Sequence, residues 1–221
     1  MDTGTSPIRA AVPAYFHPAT RPQDWARLAA LGPALGFAVM NPDSGAGPDP
    51  DPAYLPVIRA VESAGGRVIG YVDTDYGRRP SGPVLREVAA YRAWYGLGGV
   101  FFDQVASGAQ HLAHYRRLAA EARRLGAEFV VMNPGVLPAP EFAEVADVLV
   151  TFEGTWSAYR DYRPGESIRG HAPERFCHLI HSAGPAAFAA ARAGAAANHV
   201  GLLYATELTG ANPWAALSSE L

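Results

Sequence analysis

The sequence predicts a single (β/α)8 barrel, and three observations carry that prediction. Eight short β-rich runs recur along the 221 residues. The runs are continuously apolar rather than alternating, which is the pattern of parallel strands buried on both faces by covering helices. Stretches with apolar residues at i and i+3 or i+4, the helical period, lie between them. One barrel over residues 1–221 fits this length. The alternative, an open doubly wound sheet, is disfavoured because the first turn lacks a G-x-G-x-x-G loop.

In chain order the first strand is "AAVPAYF" (10–16), followed by the helical pattern "PQDWARLAALG" (22–32). The second strand, "GFAVMN" (36–41), leads through the exposed loop "PDSGAGPDPDP" (42–52) into "PAYLPVIRAVESAGG" (52–66). The proline- and glycine-rich composition of that loop precludes an element of its own. "RVIGYVD" (67–73) then precedes "PVLREVAAYRAWYG" (83–96), and "GGVFFD" (98–103) precedes "HLAHYRRLAAEARRLG" (111–126). "EFVVMN" (128–133), "DVLVTFE" (147–153) and "RFCHLIH" (175–181) follow, then "PAAFAAARAGAAANH" (185–199) and the last strand "VGLLYAT" (200–206). Gly65, Gly96 and Gly126 stand where helices end in a left-handed residue. "VMNP" occurs at both 39–42 and 131–134, read as one local solution to a strand-to-loop turn and not as a duplication.

Composition removes several function classes. The net charge is −3, with no block of basic residues, so nucleic acid is not an expected partner. No apolar run approaches the ~20 residues of a membrane span. The start, "MDTGTSPIRA", has no apolar signal-peptide core. The chain as written reads as cytoplasmic, or as secreted or surface-associated where an export signal has been removed. All 18 basic residues are arginine. Schiff-base chemistry requires a lysine amine, which excludes lysine aldolases and pyridoxal enzymes, and P-loop phosphate binding loses its lysine too. The lone Cys177 precludes an internal disulfide and reads as a buried thiol. No G-x-S-x-G elbow is present. Neither a metal nor a cofactor is called for, and oligomeric state is left open.

In a barrel, chemistry belongs at the carboxyl ends of the strands. The residues there are His17, Asn41, Asp73 with Asp75, Asp103, Asn133, Glu153, His181 and Thr206, all polar, although the strand bodies are apolar. Two carboxylates at one barrel mouth suit glycosidic cleavage, in which one protonates the departing oxygen and the other is nucleophile or base. Asp103 and Glu153 are the candidates. His17, Asn41, Asp73, Asp75, Asn133 and His181 are candidates for binding sugar hydroxyls. Tyr76 and Trp156 follow strand ends, where a flat ring can stack on a sugar face. His111 and His114 read as surface residues and His178 as packed. Strand alternation puts Gln104 on the opposite face from Asp103, toward the helical layer or the loop edge. Beside an amide, Asp103 avoids the cost of an adjoining like charge and is expected to ionise readily.

These motifs in order ("MNP", "GYVDTDYG", "GVFFD", "MNPG" and "TFEG") resemble the spherulin-4-like family of glycoside hydrolases, from about Ala11 to Thr206. The resemblance implies a (β/α)8 endo-hydrolase, secreted or surface-attached, that cuts α-1,4-linked N-acetylgalactosamine in exopolysaccharide such as galactosaminogalactan. It implies catalytic roles for Asp103 and Glu153. The chain departs at Gln104, where the family usually has a glutamate also implicated in activity. An amide keeps the shape and hydrogen-bonding capacity of that group but cannot give or take a proton at neutral pH. The expected function is therefore a retaining, endo-acting glycoside hydrolase with a polysaccharide as partner. The alternative is a carbohydrate-binding barrel of the same family with impaired catalysis.

Overall fold

The computed structural model describes residues 7–221. Eight parallel strands close in chain order, with β8 pairing back onto β1. They are β1 (Arg9–Ala14), β2 (Leu35–Met40), β3 (Val68–Asp73), β4 (Gly99–Asp103), β5 (Phe129–Met132), β6 (Val148–Thr155), β7 (Phe176–His181) and β8 (Leu202–Ala205). The helices are α1 (Pro22–Ala30), α2 (Tyr54–Ser63), α3 (Ser81–Tyr95), α4 (Leu112–Arg124), α5 (Trp156–Tyr159) and α6 (Ala187–Ala197).

Each of the five longer helices buries the face its sequence period predicts. In α4, Tyr115, Leu118, Ala119 and Ala122 are buried, the large side chains contributing about 1.5–3 kcal/mol each. The helix α3 ends on Gly96, at φ 74°, a left-handed conformation that a side chain would strain. Strand β3 admits α3 closely at Gly70, where a Cβ would lie 2.4 Å from the Tyr91 ring.

The helical layer is incomplete. A 3-10 turn (Pro140–Glu144) replaces a helix between β5 and β6, and between β6 and β7 stand only α5 and two 3-10 turns. Pro134, Pro138 and Pro140 break the first connection, and Pro164, Gly165, Gly170 and Pro173 the second. Aromatic rings cover the sheet instead. Tyr159 and Tyr162 pack on Phe152 at centroid distances of 4.9 and 5.3 Å, and the Tyr159 hydroxyl lies 2.9 Å from His178 Nδ1. Burial holds His178 neutral, its pKa lowered to about 3. Cys177 is buried in the neighbouring position of β7.

The interior of the barrel is aromatic near its carboxyl end. Tyr15 meets Tyr71 edge to face at 5.4 Å, and Tyr71 stacks on Phe101 at 6.4 Å. These rings form an apolar floor immediately beneath the polar strand ends. After β8 no further helix occurs among the described residues, and the chain from Thr206 to Leu221 folds back over the barrel. No helix among the described residues is long and apolar enough to cross a membrane.

Candidate active site

Adjacent strands β3 to β6 bring Asp73, Asp103, Asn133 and Glu153 together at the carboxyl end. Asp73 and Asp103 are paired in register across β3 and β4. Asn133 follows β5, and its amide nitrogen donates to Asp103 Oδ1 at 2.7 Å and to Glu153 Oε2 at 2.5 Å. Its carbonyl oxygen accepts from the Gly135 N–H at 3.0 Å, which fixes the orientation of the amide. Both amide protons and the oxygen are thereby used, and one side chain ties the two carboxyls. The Tyr71 hydroxyl, rising from the aromatic floor, donates to Asp103 Oδ2 at 2.9 Å.

The floor and the shared site set the protonation states. Burial, then the charge of Asp103, pushes the Glu153 carboxyl up to about 7, against hydrogen bonds from Asn133 and Trp214. Burial also raises Asp103, although hydrogen bonds from Tyr71, the Gln104 backbone and Asn133 oppose it, and the Asp73 charge adds to the rise. The expectation drawn from the amide at position 104, that Asp103 has no like-charged neighbour and ionises readily, therefore fails. The charge that raises Asp103 is Asp73 on β3 and not the next residue, and Asp103 in turn raises Glu153 on β6. When two close carboxyls compete for one charge, one is held protonated, and here Glu153 is the one driven toward neutrality.

Gln104 also departs from expectation. Its φ is 49°, so the alternation of the strand stops at Asp103, and Gln104 lines the same cleft as Asp103 rather than facing the helices. Asp75 and Tyr76 opposite are left-handed as well, at φ 46° and 53°. Non-glycine residues pay ~1–3 kcal/mol each for such conformations and hold them only where surroundings enforce it. The enforcement is visible. The Tyr76 N–H donates to the Gln104 carbonyl at 2.7 Å and the Thr74 N–H to the Asp103 carbonyl at 3.0 Å. Beneath them runs a buried relay. The Ala106 N–H donates to the Tyr115 hydroxyl (3.0 Å), which lies 3.0 Å from the Thr74 hydroxyl, which reaches the Gln104 and Asp103 carbonyls at 2.8 and 2.9 Å.

The cleft above the pair encloses about 330 Å³ and is lined by polar groups of Asp103, Gln104, Asn133, Glu153 and His181, with Tyr76 on its rim. Residues 9–221 match the spherulation-specific family 4. The chain belongs to that family. Spherulin-4 of Physarum polycephalum is 27% identical over 190 residues, which is 81% of this chain and 57% of that relative's length. The chain therefore spans little more than half of the curated relative it matches. The crystal structure of Aspergillus clavatus Sph3 in complex with GalNAc superposes with a TM-score of 0.83 at 26% identity, covering 98% of this chain and 95% of that one. The spore cortex-lytic enzyme SleL of Bacillus cereus shares the fold alone (TM-score 0.51, 9% identity, 79% of this chain and 50% of that one).

In this family member the other sequence-derived candidates divide. Tyr76 is 49% exposed at the cleft rim, and His181 lines the wall, its ring edge to face with Trp214 at 5.9 Å. His17 lies outside the cleft and pairs with Asp51 at 2.6 Å. Asn41 caps its own loop by accepting from the Gly45 N–H at 2.8 Å. The two "VMNP" asparagines thus share a loop-capping role, but Asn133 alone reaches the carboxyls. Asp73 accepts from the Asp75 N–H at 2.7 Å, and Asp75 pairs with Arg78 at 2.5 Å, so the two aspartates are engaged separately. Trp156 opens α5 and leans on Tyr159 at 6.0 Å, away from the cleft lining. Sequence reasoning missed Thr74, Tyr115 and Trp214 as parts of the site's support.

Proposed function

We propose that this chain is an endo-acting glycoside hydrolase of α-1,4-linked N-acetylgalactosamine or galactosamine exopolysaccharide, working through Asp103 and Glu153 with retention of configuration. The observation that carries this reading is the single Asn133 amide bonded to both carboxyls. Two oxygens joined through one nitrogen lie no farther apart than the two bonds laid end to end. A closest approach of this order is in keeping with the ~5–5.5 Å of retaining enzymes and supports that choice over the ~6.5–9.5 Å of inverting ones. The GalNAc bound to the similar Sph3 fold supports the choice of sugar.

In this mechanism the Asp103 carboxylate attacks the anomeric carbon while the Glu153 proton passes to the departing glycosidic oxygen. The product is a glycosyl ester on Asp103 and a free chain end. Glu153, now a carboxylate, takes a proton from water, whose oxygen attacks the same carbon and releases Asp103. One water is consumed and the carbon is inverted twice. A pKa raised to about 7 leaves about half of the Glu153 carboxyls protonated and neutral at neutral pH, a state a general acid requires. Asn133 and Tyr71 hold Asp103 in place, and Tyr76 offers a ring face at the rim. Release of reducing ends from purified galactosaminogalactan, with a plain α-glucan as control, tests this reading. Release from the first and none from the second is expected.

Gln104 favours no separate function in this account, since its backbone carbonyl is held from below and its side chain meets the cleft as a neutral hydrogen-bonding group. Gln104→Ala is expected to weaken turnover without abolishing it, and Gln104→Glu to stay within about tenfold of the parent, ~1.4 kcal/mol in barrier. A much larger gain in kcat/KM for Gln104→Glu would identify the parent chain as an impaired enzyme and favour the carbohydrate-binding alternative.

A further inference from the structure

We propose that Tyr115, on α4 outside the cleft lining, is a positioning residue for the carboxyl pair: its hydroxyl staples residues 103–106 into the turn from which Asp103 and Asn133 are aimed. This rests on the glycosidase reading for its effect on turnover, and on geometry alone for the staple.

Tyr115 and Thr74 are buried, at 0% and 1% exposed, and neither lines the cleft. The direction of each bond in their chain is forced, since an amide N–H only donates and a carbonyl only accepts. The Ala106 N–H donates to the Tyr115 oxygen, so the Tyr115 proton is left for Thr74 Oγ1. The Thr74 proton is then shared by the carbonyls of Gln104 and Asp103. The chain of bonds leaves the loop after β4 at residue 106, crosses α4 and the end of β3, and returns to the same loop at residues 104 and 103. It closes around Gln104, whose backbone is left-handed.

The turn is tied to the site on both sides. Toward β3, the Thr74 N–H donates to the Asp103 carbonyl at 3.0 Å and the Tyr76 N–H to that of Gln104 at 2.7 Å. Toward β5, the Val105 N–H donates to the Asn133 carbonyl at 3.0 Å, and the Asn133 N–H to the Phe102 carbonyl at 2.8 Å. Residue 105 therefore holds the backbone of the residue whose side chain ties Asp103 to Glu153. A turn that relaxed toward the extended conformation would carry Val105 away from Asn133 and rotate Asp103 with it. A phenylalanine would serve the apolar packing of α4 as well, for the Tyr115 ring leans on Phe142 at 5.8 Å. A buried hydroxyl is unfavourable unless hydrogen-bonded, and both bonds of this one go to groups that shape the turn. Misplacing a reacting group by about 1 Å from a remote site slows a reaction by up to about 100-fold.

The test compares the parent with Tyr115→Phe in the full chain, by ¹⁵N NMR of the Asn133 side-chain NH2 and by kinetics on purified galactosaminogalactan. Both Asn133 amide protons are bonded to carboxyls, so their resonances report the tie itself. Displaced Asn133 resonances are expected, with kcat lower by about 10- to 100-fold and KM within about twofold of the parent. Thr74→Val, which removes the next hydroxyl in the chain, is expected to do the same. Thr74→Ser keeps that hydroxyl and is expected to rescue both readouts. A folded Tyr115→Phe that loses only thermal stability, with the Asn133 resonances unmoved or, in an active enzyme, kcat unmoved, overturns the proposal. Should Tyr115→Phe fail to fold, Thr74→Val against Thr74→Ser carries the test on the same terms. The resonances do not depend on turnover. Absence of reducing-end release by the parent would therefore sink the glycosidase reading while leaving the Tyr115 staple to be judged on its own.

Discussion

Asp103→Asn is expected to lower turnover of galactosaminogalactan by at least about 10³-fold, roughly 4 kcal/mol in barrier, with KM little changed and the protein folded. The amide is nearly isosteric and can still accept from Tyr71 at the position of Oδ2. What it loses is the negative charge that attacks or stabilises the anomeric carbon. It also loses its good fit with Asn133, since an amide NH2 in place of Oδ1 would face the Asn133 NH2 that now donates to it. A small external nucleophile such as azide should restore part of the activity, because it can take over the attack in the vacated charge site. Initial rates at saturating polymer, with and without azide, check both points.

Glu153→Gln is expected to cost ~10²–10⁴-fold in kcat, the range of general acid–base catalysis, and to change stability in a pH-dependent direction. The folded protein holds the Glu153 proton up to about pH 7, whereas the ordinary value for a glutamate, as in an unfolded chain, is 4.5. Between those values the folded state binds more protons, so its stability falls as pH rises through that window. Glutamine has no proton to lose. At pH 8 the variant is therefore expected to be more stable than the parent by about 1–3 kcal/mol, from ~1.36 kcal/mol per pKa unit less a poorer fit to its two donors. At pH 4 the advantage disappears. Thermal unfolding at the two pH values measures this, at ~2–4 °C per kcal/mol for a chain of this size. Equal stability changes at both pH values would contradict the raised pKa.

The barrel was legible because its signal is local and repeated. Runs such as "RVIGYVD" and "GGVFFD" end on the residues that the strands end on, Asp73 and Asp103. The five longer helices announced themselves by period and by glycines such as Gly96. The missing helices around β6 were legible only as proline and glycine density. Strand alternation failed at Gln104, because a left-handed backbone imposed by contacts with Tyr76 and Thr74 has no signature in the residue itself. The mouth residues were visible as a set, but which of them converge depends on lateral neighbours. Asn133 stands between Asp103 and Glu153, while His17 and Asn41 serve their own loops. Trp214, in "NPWAALSSEL", lies beyond the last strand, and nothing periodic marks it as a neighbour of His181 in the cleft wall.

The most direct measurement of the two-carboxylate account is a ¹H NMR time course of the parent enzyme acting on purified galactosaminogalactan, recorded before mutarotation. The account predicts new reducing ends whose first-formed anomer is α, the configuration of the linkage that was cut. A first-formed β anomer would contradict Asp103 as a nucleophile, and a polymer left uncut would contradict hydrolysis itself.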